Sequence, residues 1–284
     1  MATNLETSEP NYDYGILEKL HRGKIGGKVS DKWASYLKAY NRLFAPFAKQ
    51  PVRLLEIGVQ NGGSFEVWSK FFADAKVFVG CDINPLCQQL TYEDPRIHIV
   101  VGDANQDATR DRIRQISPQF DLIIDDGSHV SKDIIHSFNS YFPLLAPGGI
   151  YVVEDTHCLY WLSQSVGLRQ RRNATAFFKT LTDVVNYEHW SINRSIPGRL
   201  KRFLPGPLLA EEIKTGWVQS VEFRNSMIII RKEMEPTHAK LGERVIVGTV
   251  AAVEPGVLKI RAGEKVTPMS WKDPRNWFRV IFRS

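Results

Sequence analysis

Two acid-rich stretches, Asp125-Asp126-Gly127-Ser128-His129 and Val153-Glu154-Asp155-Thr156-His157, each close a short apolar run. If those runs are neighbouring strands, their ends lie roughly 5 Å apart, and carboxylates and imidazoles from both meet on one patch. Like charges that close cannot all ionise without a counter-ion, so either some are protonated or a cation sits among them. Asp126, Glu154 and Asp155 would make a carboxylate-only ligand set. With water or substrate oxygens, such a set suits a hard octahedral ion such as Mg2+ better than zinc. His129, three residues past Asp126, is within reach of a group on the same ion, and an imidazole is a suitable general base near neutral pH. The competing account makes one acid at each strand end the N-cap of a following helix. His136, two turns further on, reads as structural, and His157 is left open between supporting the cluster from behind and touching substrate.

A second constellation is Leu54–Ser64. An apolar run carrying Glu56 and then the spaced glycines Gly58 and Gly62 fits a strand that turns sharply into a helix beneath a ligand. Gly62, Gly63 and Ser64 would open that helix with free amide donors facing an anionic group. The spacing is not the Gly-x-Gly-x-x-Gly of a dinucleotide turn. It suits a looser turn around an aminoacyl tail and a nucleoside, with Glu56, Gly58, Asn61, Gly62, Gly63 and Ser64 as contacts. Asp82, ending the next run, is placed to accept ribose hydroxyls; a helix cap before Asn84-Pro85 is the alternative. Asp103 sits where it could touch a purine amino group, and Asp125 joins the same cofactor-binding set.

These side chains need a scaffold that brings strand ends together. Val52–Gly58, Lys76–Ile83, Ile97–Val101, Phe120–Asp125 and Gly149–Glu154 are apolar without alternation, as buried parallel strands are. Helices fit between them at Ser64–Phe72, Pro85–Leu90, Ala108–Ile116 and Val130–Leu145. Trp217–Phe223 and Met227–Lys232, around Asn225-Ser226, add an antiparallel C-terminal hairpin. The fold expected is therefore α/β: a doubly wound, Rossmann-like, seven-stranded sheet with ligands at the carboxyl ends of its strands.

Ahead of the sheet, Trp33, Tyr36, Leu37, Tyr40, Leu43 and Phe44 recur at helical spacing, with Ser30 or Asp31 as the expected cap. The stripe reads as packing. A helix there can still lie across the cofactor mouth, which keeps Lys32 and Tyr36 as candidates. Beyond Glu233, Arg244–Val253 and Val257–Ile260 read as a small β appendage, and Trp271–Ser284 as a basic, aromatic tail. The partition expected is 1–50, an N-terminal helical segment; 51–233, the main domain; and 234–284, the C-terminal extension.

The chain of 284 residues is 43% hydrophobic, enough for one large α/β domain with additions. Its 3 cysteines, without metal-ligand spacing, read as reduced thiols of a cytoplasmic protein. Met1–Pro10 is polar and acidic, and no stretch reaches membrane-span length, so no membrane partner is expected. The net charge of +6 gathers in Arg169–Arg172 and Arg199–Arg202. Without interleaved aromatics these read as solvated helix faces, and nucleic acid is not favoured.

Taken together, Glu56–Ser64, Asp82, Gly102-Asp103, Asp125–His129, Pro147-Gly148-Gly149 and Glu154-Asp155 resemble the class I S-adenosylmethionine-dependent methyltransferases. The closer likeness is to the metal-dependent macrolide sugar O-methyltransferases, the mycinamicin 2''-O-methyltransferase type, and the related cephalosporin-hydroxylase-like family. It covers about Val29 to Lys232. The resemblance implies S-adenosylmethionine at Glu56–Gly63 and Asp82, Mg2+ on Asp126, Glu154 and Asp155, and His129 as the base. It also implies a glycosylated or other diol-bearing small-molecule acceptor, O-methylation as the reaction, and room for a homo-oligomer. Tyr160, Trp161, Tyr187 and Trp190 are candidates for a flat acceptor platform, with core packing as the other role. The alternatives kept are an RNA or other macromolecule methyltransferase and a non-catalytic S-adenosylmethionine-binding protein.

Overall fold

The computed structural model describes residues 15–24, 26–161, 171–190, 195–237, 240–253 and 256–261. Met1–Pro10, Arg169 and Gln170 of the first basic run, and Trp271–Ser284 lie outside the described residues. The chain divides into two compact units, Met1–His238 and Ala239–Ser284.

The first unit is built on a sheet of 7 strands: β1 (Arg53–Ile57), β2 (Val77–Asp82), β3 (Ile97–Val101), β4 (Phe120–Asp125), β5 (Leu145–Val153), β6 (Val218–Arg224) and β7 (Met227–Lys232). Their order is β3-β2-β1-β4-β5-β7-β6. The first five run parallel, and β7 pairs antiparallel with both β5 and β6. Strand order reverses between β1 and β4, and it is at such a reversal that open α/β sheets leave a crevice at their carboxyl edge.

Each central strand buries both faces, which explains its unbroken apolar run. Leu55, Ile57, Ile123, Tyr151 and Val153 face a core completed by α4 (Asp107–Ile116), α5 (Ser131–Tyr141) and α6 (Ala174–Val185). Leu54, Leu122, Ile124, Ile150 and Val152 face the opposite core, shared with α1 (Ile16–Arg22), α2 (Ala34–Phe44) and α3 (Gly63–Phe71). Leu17, Tyr36, Tyr40 and Phe44 are buried in that second core, so α1 and α2 are packed into the unit that holds the sheet. Two short helices, α7 (Ile196–Leu200) and α8 (Glu211–Lys214), complete the first face.

Three sequence expectations change. The cap of α2 is neither Ser30 nor Asp31: its N-cap is Trp33, which makes no side-chain cap bond, while Ser30 Oγ lies 3.1 Å from His21 Nε2. Pro85–Gln89 is a 3-10 turn rather than an α-helix, capped by Asn84. In the second unit, Arg244–Val253 forms no strand, and Gly256–Arg261 is the helix α9. Alternation alone does not make a hairpin: Val245, Val247, Val250 and Val253 are all exposed, and an unsupported two-stranded pair is marginal in water.

Candidate active site

The strand ends meet as the spacing required. Asp125 pairs with Val153 across β4 and β5, which sets Asp126 level with Glu154, and the Glu154 amide donates to Asp125 O at 2.9 Å. Neither Asp126 nor Asp155 caps a helix with its side chain. The N-cap of α5 is Val130, and Asp155, at the N-cap of the 156–160 turn, makes no side-chain cap bond. One ligand atom from each of Asp126, His129 and Asp155 lies within 4.8 Å of the others. His129 Nε2 is 3.9 Å from Asp126 Oδ1 and 3.9 Å from Asp155 Oδ2, near both but bonded to neither.

Backbone strain gathers on this rim. Among the described residues the non-glycine positions with positive φ are Gln60, His129, Asp155 and Ser226. Left-handed backbone at such residues costs of order 1–3 kcal/mol each and clusters at functional sites. Here it turns His129 and Asp155 toward a common point.

Glu154, the third acid of the expected set, is buried. Its Oε1 accepts from Lys32 Nζ at 2.9 Å and from the Tyr40 hydroxyl. Lys32 Nζ also lies 2.5 Å from Asp126 Oδ2 and 3.4 Å from Glu56 Oε1. Burial alone would lower the Lys32 pKa, but Glu154, Asp126 and Glu56 outweigh it and hold the ammonium well above its ordinary value. Burial pushes the carboxyls of Glu154 and Glu56 up, against the pull of Lys32, and burial lifts Asp125 to about 6.

Asp155 is steered from below. The Tyr36 hydroxyl donates to Asp155 Oδ1 at 2.7 Å and accepts from the Asp155 amide at 3.2 Å. Ser226 Oγ, from the β6–β7 turn, lies 2.6 Å from that hydroxyl and 2.5 Å from His157 Nδ1. His157 stands edge-on between two exposed indoles, with ring centroids 6.2 Å from Trp33 and 5.1 Å from Trp161.

Below this cluster the crevice opens into a cavity of about 490 Å³ whose lining includes Glu56, Gly58, Ser64, Asp82, Asp103 and Asp125. Gly58 has φ +92°, and a Cβ there would sit 1.9 Å from Asp126 O, so glycine is what lets β1 and β4 end side by side. Asp82 grips the β1–α3 turn: its Oδ2 accepts from the Val59 and Gln60 amides at 2.8 and 2.9 Å, and its Oδ1 from Asn84 N at 2.8 Å. These three amides fix the carboxylate in the cavity lining. Asp103 Oδ1 accepts from Asn105 N at 2.9 Å and faces the same cavity.

The start of α3 differs from expectation. Gly63 N donates to Val29 O at 3.0 Å and Gly62 N to Val59 O at 2.8 Å, so these amides are consumed within the protein. A Cβ on Gly63 would meet Val29 O at 2.3 Å, so the glycine admits the 28–29 segment, while Gly63 itself still lines the cavity. Ser64 Oγ and Trp68 Nε1 both donate to Glu56 Oε2, at 2.7 and 3.0 Å. Asn61 and Gly62 lie outside the cavity lining.

Other candidates settle into packing. His136 Nδ1 lies 3.1 Å from Asn105 Oδ1. Trp190 Nε1 donates to Asp183 O at 2.9 Å, and Tyr187 and Trp190 pack on the core, leaving Tyr160 and Trp161 as the exposed aromatics of that group. In the second basic run, Arg199 pairs with Asp183, and the Arg202 guanidinium lies 4.6 Å over the Phe203 ring. Sequence reasoning missed Tyr40 and Ser226. A faint signal existed for the first: Lys32, Tyr36 and Tyr40 recur every four residues, a stripe of polar tips on an otherwise apolar face.

Residues 55–156 match the family model described as a methyltransferase domain. The chain is 36% identical over 181 residues to the 8-demethyl-8-alpha-L-rhamnosyl tetracenomycin-C 2'-O-methyltransferase of Streptomyces olivaceus, covering 60% of this chain and 47% of the relative. It is 34% identical over 179 residues to the mycinamicin VI 2''-O-methyltransferase of Micromonospora griseorubida, covering 59% and 44%. Among solved structures, the MycE methyltransferase of the mycinamycin biosynthetic pathway, in complex with Mg and SAH, superposes with a TM-score of 0.61 at 28% identity, over 76% of this chain and 54% of that one. The chain thus spans about half the length of the curated relatives it matches. Among the described residues no helix is long and apolar enough to cross a membrane.

Proposed function

We propose that this chain, in which residues 55–156 form a methyltransferase domain, transfers the methyl group of S-adenosylmethionine to a hydroxyl of a glycosyl or other diol-bearing small molecule, with Mg2+ at the rim. The observation that carries the reading is the meeting of Asp126, Asp155 and His129 at the mouth of the cavity lined by Gly58, Asp82 and Asp103. A methyl donor in the cavity and an acceptor at the rim would then share one boundary. The relatives act on sugar hydroxyls by name, and MycE is solved with Mg and SAH.

The donor set fits a hard divalent cation. Two carboxylates converge, each about a quarter exposed or less, which leaves room for water and acceptor oxygens. Such an ion, when bound, would lower the pKa of the acceptor hydroxyl. His129 Nε2, hydrogen-bonded to neither acid, takes the hydroxyl proton. Asp82 accepts a ribose hydroxyl and Asp103 faces the base. Trp33, Tyr160 and Trp161, exposed beside His157, offer stacking faces to a sugar ring. The chain's main contribution to rate is alignment of the hydroxyl oxygen with the donor methyl.

The test is transfer of isotopically labelled methyl from S-adenosylmethionine to a panel of glycosides, with and without Mg2+. Label should appear on glycosides with free vicinal hydroxyls and not on their deoxy analogues, and chelation should suppress it. Labelling of RNA in place of every glycoside would overturn the acceptor class.

A further inference from the structure

A second hollow, of about 380 Å³, adjoins the rim, and Thr175, Lys179, Arg224 and Asn225 in its lining have no part in the proposed mechanism. His157 belongs to its wall, and His157 Nδ1 is 3.7 Å from Asp155 Oδ1. Asp155 in turn lines the donor cavity, so the two spaces meet across these two side chains. Their linings differ in charge. Asp82, Asp103 and Asp126 are among the acids of the donor cavity, whereas among the described residues the second hollow is lined by Lys179 and Arg224 and by no carboxylate.

The wall also holds an unmet polar group. Thr175, in the first turn of α6, is 8% exposed, and among the described residues its Oγ1 is the buried side-chain polar atom that has no hydrogen-bond partner. Buried polar groups are almost always paired, so an orphan in the wall of a hollow points to a ligand atom. The first turn of a helix carries the positive end of its dipole, which favours an anion. Lys179 stands one turn further along α6, and Arg224 ends β6. Arg224 Nε donates to Glu222 Oε1 at 2.8 Å, which restrains the guanidinium at the wall.

We propose that this hollow is an anion-binding subsite for the acceptor: the glycoside methylated at the rim carries a carboxylate or phosphate group that is seated by Thr175, Lys179 and Arg224. Tyr160 and Phe223, both exposed, give the same hollow apolar faces for a sugar ring. Cations at one end and acids at the other set the acceptor's direction, drawing its charge into the hollow and leaving its neutral hydroxyls at Asp155. The inference deepens the proposed function and rests on it for the place of the hydroxyl, not for the place of the anion.

The experiment is calorimetric titration of the full chain with methyl glucoside, methyl glucuronide and glucose 1-phosphate. EDTA is present throughout, so that no divalent ion at the rim holds the anion. The two acidic probes separate a carboxylate from a phosphate, and at least one should bind about tenfold more tightly than methyl glucoside, the worth of a charged hydrogen bond. Lys179→Met, a change at an exposed side chain, should remove that advantage and leave methyl glucoside within about twofold of wild type. Thr175→Val should weaken the acidic probe by about threefold or more with the urea midpoint unchanged or raised, because the hydroxyl it removes has no partner to lose.

Selective loss of the acidic probe in either variant supports the subsite. Equal binding of all three probes, an acid preference undiminished in both variants, or a loss that methyl glucoside shares equally would overturn it. Absence of S-adenosylmethionine binding to the wild type, with the acid preference present and sensitive to these variants, would instead count against the proposed function and leave the subsite standing.

Discussion

At the scale of single residues the account separates groups that meet the reactants from groups that steer them. His129→Ala should lower kcat by roughly 10²–10⁴, the usual range for a general base, with S-adenosylmethionine affinity within about twofold of wild type by calorimetry. A uniform loss of donor binding would place His129 elsewhere in the mechanism. Tyr36→Phe should act through Asp155, which loses its 2.7 Å hydroxyl donor. The expected signature is a raised Mn2+ dissociation constant with the fold retained. Ser226 had no legible role in the sequence, and Tyr40 only the faint one of its spacing, because their contacts join positions far apart. Ser226 meets Tyr36 across 190 positions and Tyr40 meets Glu154 across 114, and no local spacing encodes such a pair.

At the scale of elements, the strands were legible because burial on two faces leaves an unbroken apolar run. The acids at their ends were legible for a related reason, since strand order and register fix where those ends meet. What failed was local in appearance and tertiary in cause. The first turn of α3 looked like an open anion site, but residues 28–29 cross it and take the Gly63 amide. Arg244–Val253 looked like a strand, but its residues form none. One element prediction concerns the end of α3. Arg96 donates to Ser69 O, Ala73 O and Ala75 O and forks onto Asp94. Arg96→Ala should destabilise the first unit by about 1–3 kcal/mol in urea unfolding, the penalty for leaving partly buried acceptors unmet. Its pairing holds Asp94 below the ordinary carboxyl range. That contribution is present above Asp94's unfolded pKa and is lost as pH falls through the lower folded value.

At the scale of the whole molecule, stability carries a second titration. Lys232 is 4% exposed and donates to Phe142 O, Pro143 O and Leu145 O, tying β7 to the end of α5, while burial pulls its pKa down to about 8. Between about 8 and the unfolded value near 10.4 the unfolded chain holds a proton that the folded one has released, so this group raises stability as pH rises. Below that window the cost of burying the charge is fully present. Denaturation midpoints of wild type and Lys232→Met should therefore differ by an amount that changes between pH 8 and 10; a constant difference would mean that Lys232 titrates outside that window.

The central claim is that the crevice between β1 and β4 holds a methyl donor beside a cation-binding rim. The most direct measurement is calorimetric titration of the full chain with S-adenosylmethionine in the presence of Mg2+, repeated on Asp82→Ala and Asp155→Asn. The account predicts one donor site per chain, weakened by about tenfold when the charged acceptor in Asp82 is removed and nearly unchanged in Asp155→Asn. No binding to the wild type, or equal loss in both variants, would contradict it.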